Sequence, residues 1–391
     1  MKKIKVIQIA HASHSIWRQK QKDIKKLIEG DWFSLTAQQI KKFYPKIDIE
    51  CWCPEKTYKK HKEFVNFKIK YRQFPTTFSP MYALDLSIPM LKELKKEVVK
   101  SKKEHYRLVI HLHEYHNLHG LLIATFFKNQ KIIAQHHGGS WPLKHLKQTK
   151  RYRPFFPLFM LGQIWENLVI GNINYFYALS RDEIGYLKKV APNSKIKFQT
   201  MGIDEFYFDS MNKKTARKKL GWPLDKKIML FLGRINYVKG VNYLLNAMEK
   251  LEDIELKLIG WGEKLEELKN YAKSKRLKNM EFLGPIFEKE KLPYMSACDA
   301  FILPSTKEGA SVSTMEALAQ NLPVIVTDVG GMSLMVQNGR EGILIKPKSP
   351  EEIIKAVKEI LKWKKNVKKY AERYRWRRII DDTVKDYNIV G

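Results

Sequence analysis

The stretch Ala300-Phe-Ile-Leu-Pro-Ser-Thr-Lys-Glu-Gly-Ala-Ser-Val-Ser-Thr-Met-Glu316 joins a short apolar run, a loop of small residues and the start of a helix. The apolar run Ala300–Leu303 predicts a buried strand, and the helix is expected to begin at residues 311–314. Backbone amides at a helix N-terminus form an anion site, whereas the carboxylates of Glu308 and Glu316 suit hydroxyl groups such as those of a ribose and a hexose. The segment therefore predicts a nucleotide-sugar site, with phosphates on the amides and sugars on the acids.

The spacing of the two acids, Glu308-x7-Glu316, and the residues that follow resemble the signature of family 4 glycosyltransferases. The stretch Glu316-Ala-Leu-Ala-Gln-Asn-Leu-Pro-Val-Ile-Val-Thr327 looks like that family's Glu-Ala helix and Gly-x-Pro-Val-Ile strand. The resemblance spans almost the whole chain and is strongest from Gly233 to Pro347. It implies a GT-B fold and a retaining, metal-independent hexosyltransferase, with a nucleoside-diphosphate sugar as donor substrate and no cofactor.

Short apolar strands alternate with amphipathic helices along the chain, which predicts an α/β fold of two Rossmann-like domains facing a cleft. A length of 391 residues exceeds one typical core. We expect an acceptor-binding domain at 1–203, a nucleotide-sugar-binding domain at 204–365 with a linker at 202–214, and a C-terminal segment at 366–391. The last segment is predicted to form one basic helix at 366–387 that returns to the first domain.

Two cations follow the first predicted strand of the second domain, in Phe231-Leu-Gly-Arg-Ile-Asn-Tyr-Val-Lys-Gly240. Gly233 lets the chain turn, and Arg234 and Lys239 then lie near a helix start. Paired cations suit a pyrophosphate leaving group, whose negative charge grows as the glycosidic bond breaks. The segment resembles the family's Gly-Arg-x4-Lys-Gly element, so we expect both cations to be catalytic together with Glu308.

Further donor-binding residues follow from the resemblance. Leu258-Ile-Gly-Trp-Gly-Glu263 looks like the family's Gly-x-Gly turn, with Gly260 and Gly262 lining the nucleotide pocket. Phe282-Leu-Gly-Pro-Ile286 is similar to its base-binding turn, where backbone groups near Ile286 would face the base. The residues around the helix start are expected donor contacts as well: Gly233, Gly309, Ala310, Ser311, Val312 and Glu316.

Six of the eleven histidines lie close together in the sequence: His111, His113, His116, His119, His136 and His137. Imidazole is the commonest metal ligand, but no spacing here matches a zinc pattern, so we expect no metal site. His137, in Ala134-Gln-His-His-Gly-Gly-Ser140, matches the family's His-Gly position and is the fourth expected catalytic residue. His113 and Glu114 resemble its His-x-His-Glu strand end, and together with His11 they are the expected acceptor-side residues. The family's N-terminal glycine pair is replaced by His-Ala-Ser-His after Ala10.

The formal net charge is +31, and it is unevenly distributed. Residues 1–200 hold 37 Lys and Arg against 15 Asp and Glu, an excess of +22. This excess, with the cationic and aromatic stretches Trp17–Lys26 and Lys144–Phe159, favours an anionic membrane surface and a glycan or lipid-linked acceptor. A nucleic-acid or polyanion-binding protein on the same fold is one alternative, but no recognised binding motif supports a nucleic-acid partner. A nucleotide-sugar epimerase or a phosphorylase is another.

The remaining features favour a cytoplasmic protein that is peripheral to the inner face of the membrane. Cys51, Cys53 and Cys298 make no disulfide framework and no paired zinc motif. Residues 1–10 read as a first strand rather than a signal peptide. The apolar stretch Phe155–Tyr177 contains Gln163, Glu166 and three Asn, which is not typical of a transmembrane helix.

Overall fold

A computed structural model of the protein describes residues 3–10, 28, 30–79, 84–137 and 156–389. The chain divides into two compact units, one comprising Met1–Met201 with Ile379–Gly391 and the other Gly202–Arg378. The sequence predicts boundaries at 203/204 and 365/366, whereas the structure has them at 201/202 and 378/379. Each unit contains a sheet dominated by parallel strands, so the predicted α/β class is confirmed.

Within the described residues, the first unit holds an eight-stranded sheet in the order β3-β4-β2-β1-β5-β6-β7-β8. The strands are β1 Ile4–Ala10, β2 Asp48–Glu55, β3 Lys62–Asn66, β4 Ile69–Pro75, β5 Arg107–His113, β6 Lys131–Gln135, β7 Tyr175–Ala178 and β8 Lys195–Phe198. The helices are α1 Trp32–Phe43, α2 Ile88–Lys103, α3 Leu118–Phe126, α4 Phe156–Val169 and α5 Arg181–Val190. Only β3 pairs antiparallel among these strands.

The register of the first sheet places polar side chains at its centre. β1 and β5 are adjacent and parallel, with Gln8 opposite His111 and Ala10 opposite His113. Apart from Lys5 and Arg107, the other residues of these two strands are apolar, and all but Ile4 of those are buried, as expected for strands covered on both faces. Because parallel strands end at the same edge, the residues after β5 and β6 meet at the carboxyl edge of the sheet.

Within the described residues, the second unit holds a six-stranded parallel sheet in the order β11-β10-β9-β12-β13-β14. The strands are β9 Lys227–Leu232, β10 Ile254–Ile259, β11 Met280–Gly284, β12 Ala300–Leu303, β13 Val324–Thr327 and β14 Gly342–Ile345. The helices are α6 Lys213–Leu220, α7 Val241–Met248, α8 Leu265–Ser274, α9 Leu292–Ala297, α10 Val312–Ala319, α11 Met332–Met335, α12 Pro350–Ile360 and α13 Lys368–Ala371. A last helix, α14 Trp376–Ile389, contains the 378/379 boundary.

The strand order of the second unit is that of a doubly wound nucleotide-binding sheet, in which the order reverses between the first and fourth strands. Here these strands are β9 and β12, and their registered pairs are Met229 with Ala300 and Leu230 with Phe301. Both strands continue past these pairs. The loops after β9 and β12 therefore begin at the topological switch point, where such sheets bind ligands.

Two segments differ from the sequence-based expectation. The last two residues of the predicted linker, Lys213 and Lys214, already belong to α6, because Asn212 caps the helix N-terminus by accepting the amide of Lys214 at 3.0 Å and Gly221 closes the helix in the left-handed conformation. The predicted single helix at 366–387 is broken into α13, a 3₁₀ turn at Glu372–Tyr374, and α14. The break arises because the amide of Ile203 bonds to the carbonyl of Tyr374, which draws this backbone out of the helical ladder.

None of the helices within the described residues combines the length and the apolar character needed to cross a bilayer.

Candidate active site

Four strand-to-helix loops of the second unit lie side by side at the carboxyl edge of its sheet, after β9, β10, β12 and β13. Backbone hydrogen bonds connect them: the amide of Gly233 to the carbonyl of Ile259 (3.0 Å), Ile235 to Trp261 (2.9 Å), Thr306 to Val238 (2.7 Å), and Gly331 to Gly309 (2.8 Å). These bonds satisfy loop amides and hold the loops in one fixed arrangement. This edge is the candidate donor site.

Two glycines make the close approach of these loops possible. Gly240 has a φ of +69°, and a Cβ added there would lie 1.9 Å from the carbonyl oxygen of Pro304. Gly260 has a φ of +151°, and its Cβ would lie 1.8 Å from the oxygen of Gly233. Only glycine fits both requirements. The other small residues predicted to bind the donor lie in the same loops: Gly233, Gly262, Gly309 and Ala310.

Lys239 and Glu308 form an ion pair between the loops that follow β9 and β12. Ser305 Oγ donates a hydrogen bond to the same Glu308 carboxylate at 3.2 Å, and the amide of Lys239 is held by Asn236 Oδ1 at 3.0 Å. The Lys239 side chain is 25% exposed and that of Glu308 is 11% exposed. The pair is thus shielded enough to be ordered, yet the lysine is still accessible to an anion.

Arg234 is exposed at the same edge of the sheet. Its guanidinium lies over the ring of Trp261, 5.7 Å from the centroid, and Trp261 is itself 55% exposed. At this distance and exposure, a cation–π contact contributes less than about 1 kcal/mol. The weak contact leaves Arg234 able to turn toward an incoming phosphate.

Glu316 lies on α10 and is buried with two partners that the sequence did not indicate. Lys291 Nζ donates to both of its carboxylate oxygens at 2.8 Å, and the hydroxyl of Tyr207 also bonds to the carboxylate. Burial, together with the charge of Glu316, raises the pKa of Tyr207 far above its usual range, so this phenol remains a donor. Lys291 also lies 4.8 Å from the centre of the Tyr207 ring. The three side chains form a buried polar cluster at the second predicted acid.

The N-terminus of α10 lies within the predicted range and has a side-chain cap. Ser311 is the N-cap residue, and its Oγ accepts the amide of Thr314 at 3.2 Å. Val312 is the first helical residue, so the amides of the first turn point toward the loop containing Gly309 and Ala310. Ile286, the expected base-contacting residue, follows β11 and is half-buried. The amide of Gly260 bonds to the carbonyl of Gly284 at 2.9 Å, which joins this turn to the loop after β10.

In the first unit, the predicted catalytic His137 is the outer member of a buried hydrogen-bond chain. His137 Nε2 lies 2.9 Å from His113 Nδ1, and His113 Nε2 bonds to Gln8 Oε1. The Gln8 amide donates to the hydroxyl of Tyr387 at 3.0 Å, and that hydroxyl lies 2.7 Å from His111 Nδ1. Burial lowers the pKa of His111 to about 3, so this end of the chain is neutral.

The direction of these bonds sets the tautomers. Because the Gln8 amide nitrogen donates to Tyr387, its oxygen accepts from the Nε2–H of His113. A neutral His113 then accepts at Nδ1 from the Nε2–H of His137, and Nδ1 is left as the unprotonated nitrogen of His137. The C-terminal helix α14 thereby orients a histidine that follows β6.

The carboxylate of Glu114 holds the residues that follow β5 and β6 together. It accepts the amides of Tyr115 at 3.0 Å, His116 at 3.3 Å and His137 at 3.4 Å, and lies 3.3 Å from His136 Nδ1. Burial alone would raise the pKa of Glu114, but the nearby imidazoles, His136 first, hold it well below its usual range. Glu114 has a φ of +91°, which is rare for a residue with a side chain and is the kind of backbone strain found at functional sites.

The histidines that lie close together in the sequence divide into different environments in the structure. His119 accepts the amide of Ser87 at 2.8 Å and serves the core, and burial lowers its pKa to about 4. His116 Nδ1 lies 3.1 Å from both carboxylate oxygens of Glu166. Among the described residues, Glu114, His116 and His136 are the set whose ligand atoms, all within 4.8 Å of one another, could hold a metal ion. His11 lies outside the described residues, as do most of the stretches Trp17–Lys26 and Lys144–Phe159.

Comparison with known proteins agrees with this geometry. Residues 212–376 match the profile of the family described as Glycosyl transferases group 1. An uncharacterized glycosyltransferase of Methanocaldococcus jannaschii is 30% identical over 214 residues, which cover 51% of this chain and 55% of that protein. A provisionally named teichuronic acid biosynthesis glycosyltransferase of Bacillus subtilis is 34% identical over 157 residues, covering 40% and 38%. The matched regions thus span about half or less of these two relatives.

Among solved structures, HepE of Anabaena in complex with UDP superimposes with a TM-score of 0.67 at 16% identity, covering 99% of both chains. This likeness concerns the fold, and it extends over both units. The strand order of the second unit, its donor-site loops and the family profile all fall on the same residues. Residues 212–376 are therefore similar to the Glycosyl transferases group 1 family, within a chain whose fold is of the GT-B type.

Proposed function

We propose that this chain is a retaining, metal-independent glycosyltransferase of family 4 that transfers a hexose from a nucleoside-diphosphate sugar. The observation that carries the proposal is the Lys239–Glu308 pair at the switch point of a doubly wound sheet. At this point a cation and an acid lie beside a helix N-terminus. A sugar diphosphate requires such groups, since its phosphates are anionic and its sugar carries hydroxyls.

The leaving group determines the role of the cations. Transfer breaks the bond between the anomeric carbon and the terminal phosphate oxygen, and the electron pair goes to the diphosphate. The acceptor hydroxyl oxygen forms the new bond to the same carbon, and its proton passes to the departing diphosphate. Lys239, Arg234 and the amides at the start of α10 would stabilise the charge that develops on the diphosphate.

The two acids have different surroundings, which supports different roles. Glu308 is partly accessible and lies beside Lys239, so it suits the hydroxyls of the donor sugar. Glu316 is buried deeper, with Lys291 and Tyr207, and suits the ribose. When the donor binds, its phosphates would compete with Glu308 for Lys239, so donor binding itself would free the acid for the sugar.

The acceptor side is assigned to the first unit. His137, oriented by His113, and the edge held by Glu114 would contact the acceptor hydroxyl. We propose an envelope glycan or a lipid-linked molecule as the acceptor, met at the cytoplasmic face of an anionic membrane. The +22 excess of residues 1–200 supports this, and the Bacillus subtilis relative's name refers to teichuronic acid biosynthesis.

The proposal is tested by a thermal-shift screen of nucleotide sugars and nucleoside diphosphates, with uridine compounds first. At a hundredfold excess over the dissociation constant, a true ligand adds about 2.7 kcal/mol to the unfolding free energy. We expect a shift for one nucleotide series that Lys239→Ala reduces and Lys269→Ala, a change in an exposed ion pair on α8, does not. A shift with heparin or single-stranded RNA and none with any nucleotide would favour the polyanion-binding alternative.

Transfer should continue after removal of divalent cations. The donor-site charges are supplied by Lys239, Arg234 and a helix N-terminus, so no metal is needed to neutralise the diphosphate. We expect the same turnover in excess EDTA as in buffer with added Mg²⁺ or Mn²⁺. Loss of activity that a divalent cation restores would contradict this. If His116→Ala then abolished the restoration, the metal would be assigned to the group of Glu114, His116 and His136.

A further inference from the structure

Helix α4 presents an apolar face to solvent and keeps its acid inside. The outward side chains Met160, Leu161, Ile164 and Leu168 are between 40% and 76% exposed. Their spacing places them on one side of a 3.6-residue helix. On the opposite side, Phe159 and Glu166 are almost completely buried. This arrangement is the reverse of an ordinary surface helix, and exposed apolar surface of this kind marks an interaction site.

The orientation of α4 is fixed by specific contacts. The buried Glu166 carboxylate accepts the hydroxyl of Tyr186 at 2.8 Å and lies 3.1 Å from His116 Nδ1. The indole nitrogen of Trp165 donates to Thr125 Oγ1 of α3 at 3.0 Å. Rotating the helix to bury its leucines would break these bonds and expose Phe159. The outward apolar face is therefore a stable feature of the first unit.

Charge along the sequence indicates what this face meets. Residues 115–165 contain seven Lys and Arg and no Asp or Glu. Five of these cations, Lys144, Lys147, Lys150, Arg151 and Arg153, directly precede the helix in sequence. An aliphatic face that follows a basic, acid-free segment is the composition of a helix that lies in the plane of an anionic lipid surface. α4 has 14 residues, fewer than a span of the bilayer requires.

Other occupants fit less well. Single-stranded nucleic acid is bound through aromatic stacking, whereas these outward side chains are aliphatic. A second copy would bring two basic, acid-free segments together, which like-charge repulsion opposes. We propose that Met160, Leu161, Ile164 and Leu168 insert into the headgroup region of an anionic membrane, to which the positive charge of the sequence is attracted.

This inference rests on the proposed function in one respect: membrane docking would bring the enzyme to an acceptor that is embedded in lipid. Lipid binding is measured without donor or acceptor, and the nucleotide thermal shift is recorded on the same variants. A failure of membrane docking is therefore distinguishable from a failure of the donor site.

The first test is co-sedimentation with vesicles of phosphatidylcholine alone and with phosphatidylglycerol added, with single-stranded RNA as competitor. We expect binding to the anionic vesicles that persists in RNA and weakens as salt rises. The triple variant Leu161→Gln/Ile164→Gln/Leu168→Gln should bind at least about tenfold more weakly, because each change removes apolar side-chain surface from the lipid-facing side. The matched control Val65→Gln/Val99→Gln changes two exposed apolar residues elsewhere in the same unit and should bind like the wild type.

A site-specific probe gives a second readout. The free cysteines Cys51, Cys53 and Cys298 are all buried, and burial raises the pKa of each thiol, so they react poorly with labelling reagents. A polarity-sensitive dye on Leu168→Cys should shift to the blue with anionic vesicles, whereas the same dye on Val99→Cys should not.

Several results would overturn the proposal. These are absence of vesicle binding, equal binding by the triple variant, no dye shift at position 168, and displacement from vesicles by RNA. A wild-type dimer in solution that the triple variant converts to a monomer would assign the face to a second copy instead.

Discussion

Replacing Lys239 or Arg234 with alanine should reduce sugar transfer by at least about two orders of magnitude, the usual scale for loss of one group that stabilises transition-state charge. Both residues lie at the carboxyl edge of the sheet at its switch point, and each offers positive charge to the departing diphosphate. The effect should fall on turnover, because the diphosphate gains charge only as the glycosidic bond breaks. Initial rates of transfer with the donor found by thermal shift provide the measurement.

The two variants differ in what else they disturb. Lys239→Ala leaves the Glu308 carboxylate without its cation, whereas Arg234→Ala removes an exposed side chain that lies over the Trp261 ring. We therefore expect a lower melting temperature for Lys239→Ala than for Arg234→Ala, and wild-type rates for the Lys269→Ala control. Wild-type turnover by both folded site variants would show that the leaving-group assignment is wrong.

Glu316→Gln should mainly weaken nucleotide binding, and Glu308→Gln should mainly lower turnover. A hydrogen bond to a charged acceptor contributes about 1.5–3 kcal/mol, so loss of the Glu316 carboxylate should weaken nucleoside-diphosphate affinity by roughly 10- to 100-fold. Glu308 is placed for the donor sugar, which a nucleoside diphosphate lacks. Titration of the nucleoside diphosphate alone therefore separates the two acids, and equal weakening by both substitutions would refute the division of roles.

The buried partner of Glu316 adds a stability effect. Glu316→Gln leaves the Lys291 ammonium buried without a counter-charge, and removing one member of a buried pair costs about 3–5 kcal/mol of unfolding free energy. The double variant Lys291→Met/Glu316→Gln should regain part of that stability, since no charge is left alone, but it should not regain nucleotide affinity. Denaturant unfolding and nucleotide titration of the three variants separate structural loss from binding loss.

The second unit could be predicted closely from the sequence because its signals are local. The apolar run Ala300–Leu303 is β12, and the expected helix start at 311–314 is observed with Ser311 as N-cap. A short run of buried apolar residues predicts a strand by itself, and a serine before a helix can be recognised by its hydrogen-bonding side chain. The first unit was predicted less completely, since β3, β4 and β8 contain charged residues and lack a continuous apolar run.

The site residues that the sequence did not indicate act through long-range contacts. Lys291 and Tyr207 join Glu316 across 25 and 109 residues, and no local pattern distinguishes this lysine from the solvated ones around it. Gln8 and Tyr387 are brought to His111 and His113 by strand pairing and by the return of α14 to the first unit. Gln8 alone carries a sequence signal, because it is a polar residue within the apolar strand β1.

The sequence by itself determined the α/β class and the loops in which the donor-site residues lie, because hydrophobic period, glycine positions and helix caps are properties of neighbouring residues. Only the tertiary structure decided which charges meet: that Lys239 pairs with Glu308, that Lys291 neutralises Glu316, and that Glu166 turns inward while the leucines of α4 face outward. Ion pairs and exposed faces depend on which elements pack together, and the free energy of burying a charge is set by partners that can come from anywhere in the chain.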